Sequence, residues 1–279
     1  MAFDISKKII LENKRRNLSK FYPQKNNLSS KLISLIFDYF HSIKIRIYNF
    51  KLFLISLTHI KKISTQEKMM NIECLDFNEH HRKELDDKGY IFFENFFDIN
   101  SYKLINESFP NKCFLRKHRN INKNYYWGYI YNSAKKNNKM VFFDKFKYLK
   151  KCYEYFLSEK FKHKITNLTG EKNLYCNSIS TTYAEQNSFL APHKDGIFKE
   201  KTIRINFIYF VDGIDNDPIS SGATGFYKDN EFKEPLFIPK TIKNSCLVYN
   251  NSFNHYHGFN FMKKNYFRKA IIFSFRRYE

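Results

Sequence analysis

The residues of this chain best suited to chemistry sit in one short stretch, Ala191-Pro192-His193-Lys194-Asp195-Gly196. An imidazole and a carboxylate one residue apart on a bending strand approach a metal ion from two directions. A second imidazole, from His255 or His257 far downstream, supplies a third. Two neutral nitrogens and one carboxylate oxygen on a single face suit Fe(II) and leave the opposite positions open to a cosubstrate and O2. His-x-Asp alone arises often by chance, so its surroundings have to give it meaning.

Those surroundings are short strands and turns. After Gly170 the pattern predicts strands over Ser178–Ala184, Thr202–Val211, Gly225–Tyr227, Leu236–Ile238, Ser245–Tyr249, His255–Phe259 and Lys269–Arg276. Turn signals separate them, in Asp212-Gly213-Ile214-Asp215-Asn216-Asp217-Pro218 and in Ser220-Ser221-Gly222. Strands at this spacing argue for a sandwich or jelly roll. On the last of them Arg268, Ala270, Ile272 and Ser274 share one face, so Arg268 points inward among small and apolar neighbours.

Upstream, Asn78 caps a predicted helix over Glu79–Lys88, closed by Gly89, and Tyr90–Phe93 reads as a strand. Asp98 starts a further helix through Ile105. Asp144 caps a longer one with Leu149, Tyr153, Phe156 and Leu157 on one face and Gly170 after its end. Residues 110–142, which include Trp127, read as irregular and as one wall of a substrate pocket.

The bulk composition narrows the setting. The chain has 279 residues, 31 Phe, 20 Tyr and a net charge of +21. Residues 1–70 hold 14 Lys and Arg against 4 Asp and Glu, so the charge is densest there. A basic surface attracts anionic partners, but a lysine-rich solvated face is the plainer reading. The five cysteines are scattered without a Cys-x-x-Cys pair, as reduced thiols are. The apolar run Leu52–Ile60 is nine residues long, too short to span a bilayer. The chain is expected to be soluble and cytoplasmic. Residues 29–49 are expected to form a helix with a broad apolar face and Phe50–Ile60 a second apolar segment, helix or strand, so that residues 29–62 with their basic flanks suit packing, partner contact or an acidic membrane surface.

In order and spacing these features resemble the Fe(II)/2-oxoglutarate-dependent dioxygenases, in the branch that includes the prolyl hydroxylases. That family shows His-x-Asp, a distant His, and a basic residue about ten further on. Here His257 stands 62 residues beyond Asp195, followed by Gly258, and Arg268 stands 11 beyond His257. Tyr183, ten residues before His193, Arg204-Ile-Asn-Phe-Ile-Tyr-Phe, and Gly222-Ala-Thr-Gly-Phe-Tyr fall where that branch has its neighbouring strands. The resemblance covers residues 80–279. It implies that His193, Asp195 and His257 ligate Fe(II), and that Arg268, helped by Tyr183, receives the far carboxylate of 2-oxoglutarate. O2 would complete the reactants, and hydroxylation of an unactivated C–H bond would be the outcome. A carboxylate at 195 argues against the related halogenases, which lack that ligand.

The expected fold class is therefore α+β: a double-stranded β-helix, or jelly roll, flanked by helices over residues 76–279, with a basic helical extension over 1–75. A small metabolite or sugar is the preferred substrate over a protein side chain, and no nucleic acid is expected. Two rival readings are a nucleic-acid demethylase of the same fold and a non-catalytic jelly-roll binding module. The first calls for a second arginine six residues after Arg268, where this chain has Ser274; the complete ligand set argues against the second.

Overall fold

Alternation of side chains along two neighbouring strands divides the molecule into a packing side and a cavity side. The computed structural model describes residues 47, 50, 54, 72–120, 123–132, 147–195, 204–215, 217–251 and 255–277. The chain divides into two units, Met1–Ile60 and Lys61–Glu279. In the first, only residues 47, 50 and 54 are described, and they are helical. The face expected over residues 29–62 and the basic extension over 1–75 thus lie almost wholly outside the described residues. Among the described residues no helix is long and apolar enough to cross a membrane.

The second unit runs α1 (Glu79–Lys88), β1 (Tyr90–Phe93), α2 (Ile99–Glu107), β2 (Arg116–Asn120), β3 (Lys123–Asn132), α3 (Lys147–Leu157), α4 (Glu159–Thr169), β4 (Leu174–Glu185), β5 (Phe189–His193), β6 (Arg204–Gly213), β7 (Gly225–Tyr227), β8 (Pro235–Phe237), β9 (Ser245–Asn250), β10 (Tyr256–Phe259) and β11 (Phe267–Arg277). The strands form one sheet in the order β1-β9-β6-β11-β4-β3-β5-β10-β7-β8, with β2 added on β3. Each of these pairings is antiparallel. β9 and β10 stand far apart in that order, yet the Tyr249 hydroxyl on one lies 3.4 Å from His257 Nε2 on the other. The sheet must curl to bring them together, which makes it jelly-roll-like.

On β6 and β11, Phe207, Tyr209, Ile271, Phe273 and Phe275 face the helices and are buried, while Asn206, Ile208, Phe210, Arg268, Ala270 and Ser274 face inward. α3 and α4 cover the outer face with Leu149, Phe156, Phe161, Ile165 and Leu168. The Phe156 ring stacks on Phe273 at 3.9 Å between centroids, and Phe207 stacks on the same ring at 4.6 Å.

Two local readings change. The helix expected to run from residue 144 to Gly170 is broken at Ser158, whose hydroxyl caps the next helix by accepting from Phe161 N at 3.2 Å. The stretch read as irregular contains the β2–β3 hairpin, with Arg116 opposite Trp127 and Asn120 opposite Lys123. Its alternation of charged and aromatic residues is a strand pattern disguised by the density of Lys, Asn and Tyr.

Because the fully buried Phe156 stacks on Phe273 and meets Phe97 and Phe161 as well, Phe156→Ala is expected to cost about 3–5 kcal/mol of unfolding free energy. Urea denaturation would read this as a lowered midpoint with an unchanged slope.

Candidate metal centre

The centre starts from one strand pairing. β5 and β10 run antiparallel with His193 and His257 as direct partners, and the two ring centroids are 4.3 Å apart. Gly258 permits this: a Cβ there would stand 2.5 Å from the Leu190 carbonyl oxygen and 3.0 Å from Pro192 N. Both neighbours are backbone atoms of β5, so a side chain at 258 would push the strands apart.

Asp195 follows the end of β5, and its Oδ1 lies 3.8 Å from His193 Nε2 and 3.6 Å from His257 Nε2. One donor atom from each of the three residues falls within 4.8 Å of the others. His193 Nδ1 is 3.0 Å from the Ala191 carbonyl oxygen. A carbonyl only accepts, so Nδ1 carries the proton and Nε2 keeps its lone pair for an ion. His257 is likewise bonded to the backbone two residues back, at His255.

The carboxylate is oriented from behind. Asn206 Nδ2 donates to Asp195 Oδ2 at 3.1 Å, and the Tyr249 hydroxyl donates to the same oxygen at 3.4 Å. Asn206 is itself fixed, donating to Asn251 Oδ1 at 2.7 Å and accepting from Ser274 Oγ at 2.6 Å. With Oδ2 occupied, Oδ1 is left to face the two imidazoles. Burial alone would raise the Asp195 pKa, but His257, Arg204, His193 and the Tyr249 hydroxyl together hold it below the ordinary carboxylate value. Burial pushes the His257 pKa down to about 4, against the pull of Asp195. Near neutrality the set is therefore one carboxylate with a neutral His257, which is the state a divalent ion requires.

A cavity of about 190 Å³ opens beside these atoms, lined also by Arg268, Thr224, Tyr125 and Arg204. Arg268 is 2% exposed, and its guanidinium lies 4.1 Å over the Phe259 ring. Its Nη1 donates to the Gly222 carbonyl oxygen at 2.6 Å and to Thr224 Oγ1 at 3.0 Å, while its Nε is buried without a partner. Desolvation lowers its pKa to about 10, so it stays charged at neutral pH. Among the described residues no carboxylate lies within ion-pair distance of it. A buried cation with an unused donor fits an incoming carboxylate. The three ligand atoms fit a divalent ion with open positions.

Tyr183 is placed elsewhere. It pairs with Lys269, whereas Arg268 pairs with Ala184, so Tyr183 faces the opposite side of the sheet and lines a separate surface pocket with Lys112 and Lys269. The hydroxyl at Arg268 comes from Thr224, and the tyrosine that lines the cavity with Arg268 is Tyr125. The His255 ring lies 6.1 Å from Phe226 rather than among the ligand atoms. Sequence reasoning missed Tyr249, Asn206, Thr224 and Tyr125; for Asn206 the signal was present, since it shares inward parity with Ile208 across from Ser274. Trp127 packs edge-on against His118.

No protein-family model and no curated protein matches the chain. Its fold does recur among solved structures. A Pseudomonas putida prolyl-4-hydroxylase is 11% identical with a TM-score of 0.50, over 71% of this chain and 98% of that one. An oxidoreductase of the 2OG-Fe(II) oxygenase family from Burkholderia pseudomallei is 10% identical with a TM-score of 0.52, over 75% and 95%. The fold is that of the 2-oxoglutarate and Fe(II) oxygenases. The non-haem α-ketoglutarate-dependent epimerase SnoN matches similarly, at 10% identity and a TM-score of 0.52 over 71% and 81%. At these identities the likeness is one of fold.

Two outcomes are expected. Gly258→Ala, which displaces His257 from His193, should weaken divalent-ion binding by about tenfold or more, measured by calorimetry with Mn(II). As for pH, His257 takes up a proton in the unfolded chain near pH 6.5 but in the folded chain only near 4. Between those values the unfolded state binds more protons, so the metal-free protein loses stability as pH falls through that window. Urea midpoints should drop across it, and His257→Gln should make the drop shallower.

Proposed function

We propose that this chain is an Fe(II)- and 2-oxoglutarate-dependent oxygenase that hydroxylates an unactivated C–H bond of a small-molecule substrate. One observation carries the reading: a two-histidine, one-carboxylate set shares its cavity with a buried arginine that lacks a counter-charge. His193, Asp195 and His257 would hold the ion, and Arg268 would pair with the far carboxylate of 2-oxoglutarate. Bound together with O2, they supply the oxidising power that amino-acid side chains lack.

The chain's own residues do the rest. Asn206 and Tyr249 fix the Asp195 carboxylate so that one oxygen stays on the ion. Phe259 and Thr224 hold the Arg268 guanidinium at a set depth, which fixes how far the cosubstrate reaches toward the ligands. The apolar walls formed by Leu190, Ile208, Ile272 and Phe259 limit water at the reacting centre. The enclosed volume suits a small molecule or one side chain, and a metabolite or sugar is the preferred substrate. The solved structures that share the fold include enzymes described as 2-oxoglutarate- and iron-dependent, which supports the assignment.

The test is anaerobic loading with Fe(II) and 2-oxoglutarate, followed by succinate measurement on admission of O2. Wild-type protein should bind both and release succinate. Asp195→Ala and His257→Ala should abolish release, and Arg268→Met should raise the KM for 2-oxoglutarate by about a hundredfold, in line with loss of a buried ionic partner. Wild-type protein that binds neither would end the assignment.

A further inference from the structure

We propose that Arg204 anchors an anionic group of the substrate, a carboxylate or a phosphate monoester. The inference deepens the oxygenase reading and rests on it.

Arg204 opens β6 two residues before Asn206, so both point into the cavity, and the Arg204 side chain lines it. Its one hydrogen bond among the described residues runs from Nη2 to Ser274 Oγ at 3.3 Å, and its Nε is buried without a partner. A guanidinium carries five N–H donors, so most of its bonding capacity is unused. A purely structural role would be to neutralise Asp195. Arg204 does lower the Asp195 pKa through space, but the Asp195 oxygen away from the imidazoles is already bonded by Asn206 and Tyr249. No Arg204–Asp195 ion pair falls within 4.0 Å.

Charge balance points the same way. Arg204 and Arg268 face a cavity in which, among the described residues, Asp195 is the one carboxylate. A divalent ion and a doubly negative cosubstrate cancel each other, Asp195 offsets one arginine, and one positive charge remains. Arg268 is taken by the cosubstrate, so the surplus sits on Arg204. The Arg204 side chain is half-buried and its Nε is enclosed without an acceptor, and a substrate anion would fill that place while fixing which carbon meets the ion. A neutral analogue would leave Arg204 unpaired and bind poorly.

The experiment uses the full chain loaded with saturating Mn(II) and 2-oxoglutarate. Inorganic phosphate and, separately, acetate are titrated by calorimetry, and the NMR line of each anion is compared between Mn(II)- and Mg(II)-loaded protein. One-to-one saturable binding is expected for at least one anion, with its line broadened by Mn(II), and the tighter of the two names the group. Arg204→Gln should weaken that binding by about tenfold or more. Absence of saturable binding, an unbroadened line, or undiminished affinity in loaded Arg204→Gln would overturn the proposal. If that variant does not load, the broadening in wild-type protein decides. Failure of wild-type protein to take up Mn(II) and 2-oxoglutarate would instead remove the oxygenase reading, and Arg204's role with it.

Discussion

The close approach of β10 to β5 is the constraint on which the rest depends. Two imidazoles from distant parts of the chain become cross-strand neighbours, and the absent side chain at Gly258 lets the backbones close. Everything else at the centre is arranged around that pair. Asp195 needs only to leave the end of β5 in the right direction, and β11 needs only to aim one residue inward at the correct depth. A ligand set built from strand register is rigid, because a one-residue slip would turn every side chain to the other face.

Behind the ligands lies a relay of short polar contacts, from Arg204 to Ser274 to Asn206 to Asp195. Each member is drawn from a different turn of the same alternation, and each buried polar atom in the relay restricts its neighbour. Buried networks of this kind confer little net stability but much definition. They hold one oxygen of the largely buried Asp195 carboxylate on the imidazole side.

Much of this was legible from residue types. Arg268 was read inward from its small and apolar strand neighbours, whereas the residues alone left His255 and His257 open and only the family resemblance, in His257-Gly258 and its spacing to Arg268, favoured His257; the geometry brings His257 to His193 and leaves the His255 ring beside Phe226. Tyr183 was out of reach because spacing from His193 says nothing about which strand face a residue occupies; only the pairing of β4 with β11 does. Tyr125 and Thr224 were hidden for a related reason. Tyr125 reaches the cavity from β3 and Thr224 from the residue before β7, and the place of both strands in the sheet is set by long-range pairing, not by local pattern. The break at Ser158 was available in principle, since serine followed three residues later by a buried phenylalanine is an ordinary helix start.

The parity of β6 and β11 has one more consequence. Their outward residues are rings and branched aliphatics packed in the core under α3 and α4, while their inward residues include the polar and charged groups of the cavity. The sheet thus acts as a bulkhead between a greasy hold and a working chamber. Docking of the helices is set by residues on one side and binding in the cavity by residues on the other, so the two properties rest on different side chains of the same strands. A chain built this way can hold the same architecture as others while sharing about a tenth of their letters, 10–11% identity over the matched span.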